Sequence, residues 1–145
     1  MSSQFDVAFK WQEGFRGEAA PAGVERRVPF AVPPEFGGPG GEWTPEHFLV
    51  ASVGACVMAT FLAIAKMSKL EFVSYEASAS CTMDKTPEGL RITAVTLKPR
   101  IVVTQDKDRD RALRLIEKAE KTCPISNALK VPVAFEPEVT VGKQA

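Results

Sequence analysis

Histidine is almost missing from this chain of 145 residues: His47 stands alone, beside three cysteines and a single tyrosine. Cys56, Cys81 and Cys123 are odd in number and far apart, and no Cys-x-x-Cys pair occurs. A secreted disulfide framework needs an even set at close spacing, so that class is disfavoured. One imidazole with scattered thiols also lacks the ligand spacing of a zinc site, and neither a metal nor another cofactor is expected. Excess charge is missing as well. The 18 Lys plus Arg balance 18 Asp plus Glu, which gives a nucleic acid or an anionic membrane no electrostatic footprint to read. No basic segment leads into an apolar run at the N-terminus, so no signal peptide is read and the expected compartment is the reducing cytoplasm.

What is present is ordinary globular composition, 45% apolar and 25% charged, at a length that favours one domain over 1–145. Such a chain buries roughly two thirds of its unfolded surface and needs no staple. Phe48 to Ala65 carries no charge and reaches the lower limit of a membrane span, about 18 residues. Its Ala, Ser, Gly and Thr content, with strand-like segments on both sides, favours instead a helix buried all round in a protein core. No membrane is expected.

Apolar residues alternate from Phe5 to Trp11, the period of a half-buried strand, and short extended pieces follow at 15–19 and 26–32, so the first third predicts an antiparallel meander. The glycine run 37–41 predicts a mobile loop. Thr44-Pro45-Glu46 is a helix start, with Thr as N-cap, Pro where its missing N–H costs nothing, and an acid in the positive first turn; the helix should run to about Ser68. Val73 to Asp84 and Leu90 to Thr104 alternate as long strands, with an edge or bulge expected at Pro99. Acids first and lysines last mark an amphipathic helix over 106–122, whose face Ala112, Leu115, Ile116, Ala119 extends to Cys123. Pro124 restarts a short helix to Leu129. Val131, Val133 and Phe135 form a last strand that Pro132 and Pro137 confine to an edge.

Three thiols could carry chemistry. Cys56, in Ala-Ser-Val-Gly-Ala-Cys, sits mid-helix, where a cysteine is by default a small hydrophobe and needs a neighbouring cation to become a thiolate. Cys123 is better placed locally, at the N-cap of the Pro124 helix, where exposed N–H groups favour a sulfur anion; packing on the preceding helix face is the equal alternative. Cys81 reads as strand packing. Glu46 by itself is a helix-dipole complement, His47 a surface residue, and Arg16, Arg26 and Arg27 are solvated charges on the N-terminal strands.

Taken together, Thr44-Pro45-Glu46, the Gly-Ala-Cys ending at Cys56 ten residues on, and Thr-Cys-Pro-Ile-Ser-Asn-Ala-Leu at 122–129 resemble the family of osmotically inducible and organic hydroperoxide resistance proteins (OsmC/Ohr). The resemblance covers nearly the whole chain. It implies an α+β fold built as an intertwined homodimer, two long central helices wrapped by antiparallel sheets. It further implies a cysteine-based peroxidase, with Cys56 attacking an organic or hydrogen peroxide and Cys123 resolving it. Glu46 matches the family's acid. Arg16, in Gly-Phe-Arg-Gly, sits where the hydroperoxide-resistance members carry their cation. Thr44 in place of the usual Asn and Val57 in place of a common aromatic depart from the pattern.

These residue types suit the reaction. A thiolate breaks the O–O bond and becomes a sulfenic acid, which a second thiol condenses to a disulfide. Arg16 would hold the thiolate and Glu46 the guanidinium, while Phe48, Phe61 and Leu62 would favour organic peroxides. An external dithiol, such as a dihydrolipoyl protein, would regenerate the enzyme. The rivals are a non-enzymatic dimer binding a small apolar ligand at the helix interface, and a cysteine hydrolase, whose sole imidazole, His47, lies about two and a half turns from Cys56.

Overall fold

The computed structural model describes residues 2–142, which divide into two compact units at Leu49 and Val50. In the first unit, β1 (Val7–Glu13), β2 (Arg16–Pro21) and β3 (Val28–Ala31) form the expected antiparallel meander in the order β1-β2-β3. The β1–β2 turn bends at Gly14, whose φ of 50° is the left-handed conformation a side chain resists. The alternation of β1 does not translate into burial. All seven of its residues are exposed, because the first unit has no second layer of its own over that apolar face. Phe30 gathers an edge-to-face cluster, 6.0 Å from Phe9 and 5.8 Å from Phe48.

Helix α1 (Pro45–Met67) opens on the predicted cap, and His47 completes it. Thr44 Oγ1 accepts the His47 N–H at 3.3 Å while His47 Nδ1 accepts the Thr44 N–H at 2.9 Å, a reciprocal capping box with imidazole in the place of Glu or Gln. His47 is exposed, as the surface reading expects, and it is also a helix-capping residue.

In the second unit, Val53, Val57, Phe61 and Ala65 line one stripe of α1 at helical spacing and are buried. They share a core with Leu97 and Ile101 of β5 (Gly89–Val103), with Ala112, Ile116 and Ala119 of α2 (Arg109–Thr122), and with Val139 of β7 (Glu138–Val141). Over its most apolar 18 residues α1 has a mean hydropathy of 2.3, enough to cross a membrane by length and composition. The expectation of burial all round holds for one face only. Met58 and Leu62, on the opposite face, are 39% and 41% exposed, since the second unit's own sheet and α2 pack against the buried stripe alone.

Strand β4 (Ser74–Thr86) pairs antiparallel with β5, and the short strands β6 (Val133–Phe135) and β7 both run parallel to β5 on its other side. Pro99 lies neither at an edge nor in a bulge; it is buried in the central strand. The carbonyls of Leu97 and Val103 accept from Glu136 and Gly142, so odd-numbered residues of β5 turn their polar groups toward β6 and β7. β6 pairs with residues 95–97 and β7 with 100–103, and the step between them falls at Lys98 and Pro99. The missing N–H therefore leaves no rung broken. The register shift sits instead at Thr82 and Met83. β7 is an element the sequence reading did not expect, while α2 and α3 (Pro124–Ala128) lie where predicted, the first turn of the α2 segment being a 3-10 helix at 106–108.

Candidate active site

Two thiols meet in the second unit. Cys56 stands at the start of the fourth turn of α1, at the margin of its buried stripe, and is partly exposed. Cys123 ends the apolar face of α2 and has no exposed surface. Pro124 explains its conformation: a residue before proline is driven out of the helical region, and Cys123 adopts φ −67° and ψ 114°, leaving α2 and capping α3. Its Sγ accepts the Ser126 N–H at 3.4 Å, so the capping expectation for Cys123 and its role on the α2 face hold together.

The Cys56 and Cys123 side chains lie close enough for each to shift the acidity of the other. Burial pushes the Cys56 thiol up, and the neighbouring Cys123 sulfur pushes it further; the Ile125 backbone and the Thr60 side chain oppose this without reversing it. Burial acts on Cys123 in the same direction, but hydrogen bonds from Cys56, from Ser126 and from the Ile125 backbone outweigh it and bring that thiol down. Within this unit the more acidic of the two thiols is Cys123 and the less acidic is Cys56, the reverse of what a thiolate at Cys56 asks for. The cause is local: Cys123 faces backbone donors at a helix start, whereas Cys56 is mid-helix, with its own backbone N–H groups consumed.

The first unit holds the other expected residues. Arg16 Nη1 lies 3.1 Å from Glu42 Oε1, with the guanidinium side chain 42% exposed. Glu46 is not its partner: the Glu46 Oε1 is buried and has no hydrogen-bond partner among the described residues. The expected Arg16–Glu46 pair is therefore not formed, and Glu42, which no motif singled out, holds the arginine. Arg27 pairs with Glu18 at 3.3 Å.

The three expected substrate contacts separate. Phe61 is fully buried, its ring centroid 5.4 Å from those of Phe72 and Tyr75, so it packs the core and is closed to a substrate. Leu62 faces outward, and Phe48 lies against Phe30 and Trp43. What the sequence reading missed is an apolar groove of about 390 Å³ beside Arg16, walled by Phe9, Trp11, Phe15, Phe30 and Pro45. The alternation of β1 was the available signal. Cys81 is half-buried on β4, as strand packing requires. Among the described residues no three His, Cys, Asp or Glu side chains are grouped to hold a metal.

Two sheets, a long apolar helix and a shorter amphipathic one make up an α+β, OsmC-like fold. Residues 38–138 match the family model described as OsmC-like protein, and the chain belongs to the OsmC family. It is 30% identical over 121 residues to the organic hydroperoxide resistance protein of Xanthomonas axonopodis pv. citri, covering 81% of each chain. Over 115 residues it is 26% identical to the peroxiredoxin OsmC of Escherichia coli, covering 79% of each. Among solved structures, an organic hydroperoxide resistance protein OsmC from Legionella pneumophila superposes with a TM-score of 0.74 at 25% identity, over 96% of this chain and 99% of that one.

Proposed function

We propose that this protein is a thiol peroxidase that reduces organic hydroperoxides through Cys56 and Cys123, working as a homodimer in the cytoplasm with its two units forming one domain. The observation that carries the reading is the juxtaposition of Cys56 and Cys123, one partly exposed and one buried. Cys56, the sulfur that solvent reaches, attacks the distal peroxide oxygen, an alcohol leaves, and Cys56 becomes a sulfenic acid. Cys123 then attacks that sulfur, expelling water and closing the disulfide. An external dithiol returns both thiols, and a dihydrolipoyl protein has suitable chemistry.

Cys56 needs a cation to offset its raised pKa, and Arg16 is the proposed source, with Glu46 as its holder. That role requires Arg16 to exchange Glu42 for the unpartnered buried oxygen of Glu46. The apolar groove beside Arg16 suits the alkyl part of an organic peroxide better than hydrogen peroxide. The exposed apolar face of α1 is what a second copy would cover.

Intact-mass analysis after one equivalent of cumene hydroperoxide tests the reading. The wild type should lose two hydrogens, and Cys123→Ser should gain one oxygen at Cys56. An unchanged mass would leave a non-enzymatic apolar-ligand dimer as the better account. Arg16→Met should unfold near wild-type conditions while peroxide consumption collapses, because a surface arginine contributes little stability. Arg26→Met should be nearly silent. Full activity in Arg16→Met would move the cation elsewhere.

A further inference from the structure

We infer that Ser126 is a positioning residue for the reductive half of the cycle, fixing Cys123 as the sulfur that leaves so that an external thiolate attacks Cys56. The inference rests on the Cys56–Cys123 disulfide proposed above and adds the direction in which it is opened.

Access and leaving ability both point this way. Cys123 has no exposed surface, whereas Cys56 is partly open, so an incoming thiol meets Cys56 first. The Ser126 N–H already donates to Cys123 Sγ at 3.4 Å. Ser126 itself is 9% exposed, and its hydroxyl oxygen is buried with no hydrogen-bond partner among the described residues, on the residue whose N–H reaches that sulfur. A buried hydroxyl without an acceptor is costly. A thiolate at Cys123 gives it one, so the Ser126 side chain and backbone are both set for the moment when charge arrives there. A thiol stabilised as its anion leaves faster in exchange.

The step balances without further reactants. One thiolate of the external dithiol attacks Cys56 Sγ; the new S–S bond forms as the Cys56–Cys123 bond breaks, and the electron pair leaves on Cys123 Sγ. The second thiolate of the reductant then attacks its own first sulfur, closes the reductant to a disulfide and releases Cys56. Two electrons pass to the protein, and the two dithiol protons end on solvent and the protein thiols.

The test treats peroxide-oxidised wild-type protein briefly with 2-mercaptoethanol, quenches with N-ethylmaleimide in denaturant, and maps the adduct. Mercaptoethanol should be found on Cys56 and maleimide on Cys123. Reduction of oxidised Ser126→Ala by dithiothreitol should slow by about three- to tenfold, the effect of up to about one unit in the leaving thiol's pKa, with recovery in Ser126→Thr. Sulfenic acid formation should stay within about twofold, since Ser126 faces Cys123 and not the peroxide. Far-UV thiolate absorbance of reduced Ser126→Ala should titrate at higher pH than wild type. An adduct on Cys123, or an unchanged reduction rate in Ser126→Ala, overturns the inference and leaves the peroxidase standing. Absence of any Cys56–Cys123 disulfide overturns both. Should Ser126→Ala fail to fold, the wild-type adduct map still decides.

Discussion

From Val50 onward, Phe61, Leu97, Ile101 and Ile116 are wholly buried, whereas in the first 49 residues Phe9, Trp11 and Phe15 keep more than half of their surface in solvent. Both regions carry apolar side chains at regular spacing. The difference is what lies over them. In the second unit a sheet, α1 and α2 close on one another, so the stripe of α1 and the inner face of β5 find partners within the chain. The first unit has a three-stranded sheet and a groove but no layer of its own to cover them. Periodicity tells which side chains share a face; it does not tell which chain covers that face.

The comparison breaks hardest at Phe61. Phe61→Ala should cost about 3–5 kcal/mol in denaturant unfolding, the range for a buried aromatic truncated in a tight core. Trp11→Ala, 74% exposed in the single chain, should cost far less unless a second copy covers it. Sedimentation at micromolar concentration sharpens that point: the wild type should run as a dimer, and Leu62→Glu, a charge on the open face of α1, should run as a monomer. A stable wild-type monomer would mean the exposed faces are covered by something other than a second copy.

Tyr75 is an imperfection within the well-covered unit. Its hydroxyl is buried without a hydrogen-bond partner, and burial pushes its pKa up to about 12. The folded protein keeps this proton when the unfolded chain, near its ordinary value of about 10, has lost it. Stability is thus unaffected below about pH 10 and falls as pH rises through about 10 to 12. Tyr75→Phe should be at least as stable as wild type at neutral pH and should lack that part of the alkaline loss, as thermal unfolding across pH would show. The smallest effect belongs to the capping box: His47→Ala should lower stability by about 0.5–1 kcal/mol, and Gln, the usual side chain for this position, should recover most of it.

Much of the frame was legible because it rests on local chemistry. Pro45 after Thr44 favours a helix start through capping and a preset φ, and Pro124 ends one helix and begins another, so α1, α2, α3 and the capping role of Cys123 followed from neighbouring residues. Pro99 was misread for the converse reason. Its cost depends on whether a partner strand needs that N–H, and the gap between β6 and β7 is made by residues more than 30 positions away. β7 was missed because it is four residues long and is held as a strand by its pairing with β5.

At the site the same division holds. The sequence by itself determined that Cys56 lies on an uncharged helix, that Cys123 lies at a helix start, and that the two motifs belong to the OsmC family, since helix phase, capping and motif spacing are properties of contiguous residues. Only the tertiary structure decided that the two thiols come close enough to act on each other, that Cys123 is the one brought down and Cys56 the one pushed up, that Arg16 rests on Glu42, and that Phe61 belongs to the core. Acidity, ion pairing and burial depend on distances between groups remote in the chain, and those distances are fixed when the elements pack.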